Sequence, residues 1–259
     1  GALLIQACDS IDLGTTRGIQ SVGSTYNAIL GDKGSDVLVA AGFRNVLGID
    51  AVAGLFDDLR TVGKEYSSLL FEGKSQEALT LVEELRSRVI QPLLLPTELP
   101  SHGRINMTTS QISTTSGPDD IFVLSAGDLN VGKSTFFSDE QQRKGTGIYT
   151  AAGGAINIFS YEAINVNESR VMSFRGGDIT LWSDRGDINA GRGSKTAVSA
   201  TPPRLTFVGD ALVLVFNPPA VGSGVRAVTF DPDGVEGPLV EPPAGDIYLF
   251  APEGIIDAG

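Results

Sequence analysis

The sequence of the segment Gly127–Ser134 matches the motif of a phosphate-binding loop. Its sequence, GDLNVGKS, fits the pattern G-x-x-x-x-G-K-[ST], and the apolar stretch 121–124 precedes it where such a loop has its strand. In a nucleotide-binding loop, backbone N–H groups surround the phosphates and the lysine, here Lys133, contacts them. Nucleotide binding is therefore one hypothesis for this chain.

The residues after this segment fit a nucleotide-binding protein poorly. Its lysine and serine must open a helix that packs on a sheet, yet the apolar residues of the segment 133–145 are confined to Phe136 and Phe137. The rough candidate for an aspartate that holds magnesium is Asp210. A turn that exposes Lys133 to solvent accounts for the same sequence match, so nucleotide binding is kept as a remote alternative.

Acidic residues beside glycine suggest two other kinds of chemistry. In DPDGVEG (231–237), Asp231, Asp233 and Glu236 surround a glycine as in a calcium loop, but the twelve-residue EF-hand spacing is missing and a surface turn suffices. Glycoside cleavage needs a pair of carboxyl groups across the scissile bond. The candidates for that pair are Asp119, Asp120, Asp184, Asp187 and Asp246. Two of them, Asp187 and Asp246, adjoin a glycine, and a role in a turn is enough to explain such aspartates.

Single copies of two reactive residue types limit the chemistry further. Cys8 is the one cysteine, so an intrachain disulfide and a thiolate cluster are excluded, and His102 is the one histidine, which disfavours a histidine metal site or a catalytic triad. We expect His102 in an exposed loop, Cys8 as a small buried apolar group, and Trp182 facing outward in a packing role or against a sugar ring. No catalytic, cofactor-binding or metal-binding residue is predicted.

Composition indicates short strands joined by turns. The 259 residues include 32 glycines and 13 prolines, and 41% are hydrophobic. A net charge of −12 disfavours nucleic acid and anionic membrane surfaces as partners. The longest aliphatic–aromatic run, 211–216, is too short for a membrane span. The chain starts inside strand-like ALLIQA without a leader, so we expect it to be a piece of a longer protein.

A helical pattern interrupts these strands. Apolar residues recur at three- and four-residue steps at Val52, Leu55, Phe56, Leu59, Val62, Tyr66, Leu69 and Leu70, and again at Leu79, Val82, Leu85, Val89 and Ile90. Gly73 ends the first run, Ser75 is a suitable N-cap for the second, and Pro92 and Pro96 end it. The pattern predicts an αα-hairpin inserted at 46–98.

A short phrase recurs in the rest of the chain and predicts the fold. It occurs as GDLNV (127–131), GAINI (154–158), GDITL (177–181) and GDIYL (245–249), and the segments 177–191 and 245–259 align without a gap. Their offset of 68 residues is close to three times the 23 residues between the copies at 154 and 177. Steps of this length with alternating apolar residues are typical of stacked coils.

We therefore predict an all-β fold, a right-handed parallel β-helix (solenoid) with the αα-hairpin inserted. Residues 1–45 would form coils with an irregular start and residues 99–259 the remaining coils, truncated at the C-terminal coil. Within 103–132, the residues expected to point inward are Ile105, Met107, Ile112, Phe122, Leu124, Leu129 and Val131.

The phrases at 177–196 and 245–259 resemble the C-terminal region of filamentous haemagglutinin-type exoproteins, and SQISTTSG (110–117) and LSAGDLNVGKSTF (124–136) fit the same region. The resemblance covers roughly 103–259 and leaves out the helical hairpin. It implies a non-enzymatic segment of a large bacterial surface protein secreted by the two-partner route, with a shaft or adhesion role.

The resemblance also implies an outer-membrane secretion partner and, with the adhesive role, a host or cell-surface glycan or protein receptor. The unfinished coils expected at the ends of the sequence add neighbouring coils of a longer parent chain or other copies as partners. The net charge and the short apolar runs predict no nucleic acid and no membrane span. The implied location is secreted, on the bacterial outer cell surface. The alternative function is a β-helical carbohydrate-active enzyme, a lyase or glycosidase.

Overall fold

Short strands recur along the chain in a fixed order of three. The computed structural model describes residues 1–23, 34–95, 102–115, 117–132, 146–191, 204–208, 211–215, 223–229 and 242–257. One strand from each of three parallel sheets, which we name A, B and C, makes one coil of the chain. Sheets A and B have six strands each and sheet C has five.

The first three coils run from residue 2 to residue 150. The first contains β1 (Ala2–Ala7), β2 (Ile11–Asp12) and β3 (Ile19–Ser21). The second contains β4 (Asp36–Ala41), β5 (Ile105–Asn106) and β6 (Gln111–Thr114). The third contains β7 (Ile121–Ser125), β8 (Leu129–Asn130) and β9 (Gly147–Thr150).

The later coils include one further insertion. The fourth contains β10 (Ile156–Ser160), β11 (Ile164–Asn165) and β12 (Arg170–Phe174). The fifth contains β13 (Ile179–Ser183), β14 (Ile188–Asn189) and, after the antiparallel pair β15 (Arg204–Val208) and β16 (Ala211–Val215), β17 (Gly224–Val228). The sixth contains β18 (Ile247–Phe250) and β19 (Ile256–Asp257).

Equivalent residues of successive coils lie directly over one another, which confirms the predicted parallel β-helix. In sheet A, Ile156 pairs with Ile179 and Ile179 pairs with Ile247. The inward column beside it continues through Leu181 and Leu249. A single coil cannot bury its own apolar side chains, so stacking in register creates the continuous aliphatic core of the solenoid.

The expected inward pair Phe122 and Leu124 is wrong by one residue. Ile121 and Val123 belong to the core inside the solenoid, whereas Phe122 and Leu124 pack on the outer face of sheet A. All five residues of β7 are buried. Because a strand buried on both faces loses its polar–apolar alternation, the period-two pattern of IFVLS does not show which face points inward.

The phrase GDLNV (127–131) lies in a different sheet from the other copies of the phrase. It enters sheet B, where Leu129 pairs with Ile164 and Ile164 pairs with Ile188. The phrases at 154, 177 and 245 enter sheet A instead. The repeated wording therefore specifies a glycine corner followed by a strand, and the chain uses this unit at two different corners of each coil.

Buried hydroxyl groups line both corners that adjoin sheet A. After sheet A, Ser160 Oγ donates to the carbonyl oxygens of Gly127 at 2.6 Å and Ala163 at 3.1 Å, and Ser125 and Ser183 occupy the same level in the adjacent coils. Before sheet A, Thr150 Oγ1 donates to Gly154 O at 2.6 Å. These bonds satisfy carbonyl groups that a tight corner would otherwise leave unpaired inside the protein.

A helical hairpin is inserted into the second coil, between β4 and β5. It consists of α1 (Ile49–Phe71) and α2 (Ser75–Leu85), followed by a π-helical turn at Arg86–Ile90 and a last short turn at Gln91–Leu93. Gly73 adopts φ +77° between the two helices, as a helix stop requires. Ser75 is the first residue of α2 and makes no side-chain capping bond, contrary to expectation.

Helix α1 crosses several coils of sheet A. Phe56 meets Phe122 of the third coil with ring centroids 6.0 Å apart. Arg60 then reaches the fourth and fifth coils, where its guanidinium donates to Asn157 Oδ1 at 3.1 Å and Thr180 Oγ1 at 3.3 Å. Tyr66 OH donates to Pro252 O in the sixth coil at 3.1 Å. The hairpin is thus a brace that links coils far apart along the solenoid.

The contact between α1 and the sixth coil depends on a helical glycine. A Cβ at Gly63 would lie 2.5–2.6 Å from ring atoms of Phe250, whereas a Cβ at Gly54 in the same helix would meet nothing. We expect Gly63→Ala to lower the free energy of unfolding by about 1–3 kcal/mol, because the buried ring must shift. Gly54→Ala should raise it by up to about 1 kcal/mol, since alanine favours the helix. Denaturant unfolding of both variants checks this, and equal effects would contradict the contact.

Candidate functional site

The phosphate-loop letters lie in a solenoid corner and a strand of sheet B. The backbone N–H of Leu129 donates to Ala163 O and that of Val131 to Asn165 O, each at 2.9 Å, while Gly127 N–H donates to Gly103 O at 3.1 Å. Three N–H groups of the octet therefore donate to carbonyl groups of neighbouring coils. In a nucleotide-binding loop, the corresponding N–H groups donate to phosphate. Lys133, Ser134 and Asp210 lie outside the described residues.

Four of the five aspartates considered for catalysis sit in corners. Asp120 Oδ1 accepts the Ala155 N–H at 2.7 Å, and Asp187 Oδ1 accepts the Ile255 N–H at 2.8 Å. Asp119 Oδ2 accepts the Gly34 N–H at 2.8 Å. Asp246 Oδ2 accepts the Tyr248 hydroxyl at 2.9 Å, and its N–H donates to Asp178. Each carboxylate thus ties one coil to another or orders its own corner.

The remaining hypotheses about metal and single residues have mixed outcomes. The acidic segment 231–237 lies outside the described residues, and within those described no cluster of three or more histidine, cysteine or acidic residues is arranged to hold a metal ion.

Cys8 is exposed, so the expectation of a buried thiol is wrong. The His102 side chain is only 12% exposed and its Nδ1 lies 3.3 Å from Asp9 Oδ1, so the expected exposed loop residue is wrong as well.

Trp182 faces outward from the solenoid but is covered by the hairpin. Its indole is fully buried, lies 5.6 Å from the Phe250 ring centroid, and donates from Nε1 to Asp184 Oδ1 at 3.3 Å. The packing role predicted for this residue therefore holds. Its indole face contacts protein, which leaves the sugar-ring role unsupported.

Asp184 belongs to a buried ionic cluster with the hairpin. Arg86, whose side chain is 2% exposed, donates from Nε to Asp184 Oδ2 at 2.6 Å. The same guanidinium forms ion pairs with Glu83 of α2 and, at 2.7 Å, with Glu253 of the sixth coil. One cation thus joins the hairpin to the fifth and sixth coils, and three acids share it.

Burial and charge act in opposite directions in this cluster. Burial raises the pKa of the Asp184 carboxyl, and the hydrogen bond and positive charge of Arg86 oppose that rise. Burial likewise lowers the pKa of the Arg86 guanidinium, but its bonds and attraction to Asp184 and Glu253 outweigh this, and the pKa lies above its ordinary value. The guanidinium is charged at all accessible pH values, so the cluster needs its carboxylates.

Arg86 is absent from the sequence-based candidates, although the helical spacing of its neighbours indicates that it is buried. It follows Ala78 and Val82 at four-residue steps, so it occupies the buried stripe of α2 and its continuation. A charged residue on such a stripe requires a buried partner. The partner, Asp184, is 98 residues away and is supplied by the coil that the hairpin covers.

Sheet B presents a column of amide side chains on its outer face. Asn106, Asn130, Asn165 and Asn189 occupy equivalent positions in successive coils and are partly exposed. The column ends in acids, with Asp12 in the first coil and Asp257 in the sixth. The spacing between neighbours is the inter-strand distance of about 4.8 Å, so the sheet displays identical polar groups at a fixed interval.

Residues 176–259 match the family described as filamentous haemagglutinin family outer membrane protein. This confirms the resemblance for the part of the chain that contains the last two coils, and it agrees with the expected location at the outer cell surface. Neither a curated protein nor a solved structure matches the chain. Among the described helices, none has the length and apolar character needed to cross a membrane.

Proposed function

We propose that this chain is a structural segment of a secreted bacterial surface filament, where it holds side chains at fixed positions for adhesion. The observation that carries the proposal is the register of sheet A, whose six strands stack residue over residue from Leu3 to Ile247. Such a ladder makes a stiff, straight element that suits a shaft. The match of residues 176–259 to an outer-membrane haemagglutinin family supports the same role.

We further propose which segments of the chain and which partners this role requires. Residues 1–45 and 99–259 form the shaft, and residues 46–98 form the brace; α1 and α2 fall inside the latter range. Partners of the shaft are further coils, of a longer parent chain or of other copies, and a glycan or protein receptor on a cell. Export through an outer-membrane secretion partner belongs to the same proposal.

A carbohydrate-active enzyme is the competing function, and the carboxylate contacts argue against it. Retaining and inverting hydrolases need two carboxyl groups facing one sugar bond. Here Asp184 is held by Arg86 beneath the hairpin, and Asp187 accepts a backbone N–H of the next coil. Nucleotide binding is less favoured still, because the octet's N–H groups of Leu129 and Val131 already have partners.

Adhesion is tested with beads that carry the folded 259-residue chain. We expect these beads to bind cells or glycan arrays more than beads that carry the urea-unfolded chain, and to cleave no member of a polysaccharide panel. Cleavage that is lost in Asp184→Asn or Asp187→Asn would establish the enzyme instead. Binding of a non-hydrolysable ATP analogue that Lys133→Ala abolishes would establish the nucleotide hypothesis.

A further inference from the structure

The corner after sheet B has a left-handed backbone conformation in five successive coils. The residue two positions beyond the amide column has a positive φ in each of these coils, and the five residues are Gly14 (φ +53°), Thr108 (φ +47°), Gly132 (φ +122°), Asn167 (φ +55°) and Gly191 (φ +120°). Glycine adopts such angles without strain and asparagine does so more readily than most residues, whereas a β-branched residue there is an outlier. Thr108 is therefore the strained choice among these five corners.

The Thr108 hydroxyl is not needed to complete its corner. Thr108 Oγ1 donates to Asn106 Oδ1 at 3.3 Å. In the first coil a backbone group makes the equivalent bond, since the Gly14 N–H donates to Asp12 Oδ1 at 2.9 Å, and the fifth coil repeats that bond at 3.3 Å. A glycine would thus give the same turn without strain. Strain that the turn does not require points to a second use of the threonine side chain.

The sequence around this hydrogen bond indicates what that use is. Asn106, Met107 and Thr108 fit the pattern N-x-[ST] with a residue other than proline in the middle, which is the acceptor pattern for N-linked sugars. The hydroxyl that the pattern requires is the one that contacts the carboxamide of the acceptor asparagine in the structure. Asn130, the next residue of the amide column, is followed by valine and glycine and does not fit the pattern.

The chain contains a second match to the pattern, at Asn167, Glu168 and Ser169, but the fold conceals it. Ser169 is 2% exposed, so its hydroxyl is out of reach of an enzyme that approaches from solvent. Asn167 Nδ2 donates to the Asn165 carbonyl oxygen at 3.4 Å, which keeps the carboxamide against its own corner. The two matches are therefore equivalent in sequence and differ in their accessibility.

Asn106 is accessible on the outer face of sheet B. The residue is partly exposed, as is Thr108, and Asn106 Nδ2 donates to Oδ1 of the exposed Asp12 at 3.3 Å. Strands of the first and third coils pair with β5 on its two sides, so this exposure belongs to a sheet face within the solenoid. Two hydrogen bonds, at Oδ1 and at Nδ2, thus hold the carboxamide in one orientation on a solvent-facing surface.

We propose that Asn106 is a glycosylation site that carries an N-linked sugar, with Thr108 as its positioning residue. The donor is a sugar activated as a diphosphate. Asn106 Nδ2 attacks the anomeric carbon of that sugar, and the bond from this carbon to the diphosphate oxygen breaks with its electron pair on the oxygen. Nδ2 gives one of its two protons to a base of the transferring enzyme. This modification goes beyond the structural and adhesive role proposed above and does not depend on it.

The first experiment maps sugars on the protein taken from the cells that produce it. Its peptides are sequenced by mass spectrometry with electron-transfer fragmentation, which keeps a sugar on the residue that carries it. We expect a sugar on Asn106 and none on Asn130 or Asn167. A single added sugar would indicate a nucleotide-activated donor, and a whole oligosaccharide would indicate a lipid-linked donor. An unmodified Asn106, or sugar on Asn167 as often as on Asn106, would overturn the proposal.

The second experiment separates the role of the Thr108 hydroxyl in modification from a role in folding. Thr108→Gly removes the hydroxyl and the strain together, so it should raise the thermal unfolding midpoint by about 2–4 °C and abolish the modification of Asn106. Thr108→Ser keeps the hydroxyl and should keep the sugar, and Asn130→Gln should leave the modified fraction of Asn106 unchanged. A lower midpoint for Thr108→Gly would show that the threonine serves the fold, and an unchanged modified fraction would show that its hydroxyl is not used. Either result would overturn the proposal.

Discussion

Replacing Arg86 with methionine is expected to lower the free energy of unfolding by about 3–5 kcal/mol, the usual cost of leaving a buried charge unpaired. The guanidinium is the cation that Asp184 contacts at 2.6 Å, and the Asp184 side chain is fully buried. Methionine fills a similar volume, so the loss reports charge more than packing. The same change frees Glu253 and so loosens the sixth coil from the hairpin. Urea unfolding followed by circular dichroism measures the effect.

Two further variants identify the source of this loss. Arg88→Met removes the same charge from an exposed position in the same π-helical turn and should cost less than about 1 kcal/mol. Adding Asp184→Asn to Arg86→Met should recover part of the stability, because the uncompensated carboxylate is gone and the Trp182 N–H keeps an acceptor. If Arg86→Met were as mild as Arg88→Met, the buried cluster would not be important for stability.

Gly177→Ala is expected to cost about 2–5 kcal/mol, because it combines backbone strain with a steric clash. Gly177 adopts φ +85°, and a Cβ there would lie closer than 3.0 Å to the Gly154 carbonyl oxygen of the coil beneath. Gly154 and Gly245 occupy the same corner in other coils, and a Cβ at either position would likewise clash with backbone atoms of the preceding coil. Only a residue without a side chain lets successive corners approach this closely.

Gly73→Ala is the matched control for this substitution. Gly73 has nearly the same backbone angle, φ +77°, but a Cβ there would meet no atom within 4 Å. It should therefore show the strain alone, about 1–2 kcal/mol, and the difference between the two variants isolates the contact between coils. Thermal unfolding of both proteins gives this difference. Equal losses would mean that the corners can separate at little cost.

The solenoid was predictable because its information is local and repeated. The in-phase phrases at 177 and 245 place Ile179 over Ile247, and glycine at position 177 follows from the positive φ of that corner. The three- and four-residue spacing of 52–70 likewise predicted α1. These features need no knowledge of what the rest of the chain does.

The contacts between the hairpin and sheet A were not predictable in this way. Phe122 and Trp182 point outward, yet the hairpin makes that face apolar, which removes the alternation that distinguishes the two sides of a strand. The partners of Arg86 come from strands far along the chain. The small exposure of His102 likewise depends on long-range packing, here against Gly42 and Asp9.

The position of the brace in the chain has a consequence for the order of folding. Helices α1 and α2 precede β7, β10, β13 and β18 in sequence, although they pack across all four of these strands. During synthesis from the N-terminus, the hairpin is complete while its apolar stripe still has little to cover. Each new strand of sheet A then arrives at a surface that already exists, and Phe250 reaches Gly63 last. The hairpin can thus act as a template on which the solenoid grows one coil at a time, and the late, long-range contacts make the final step slow.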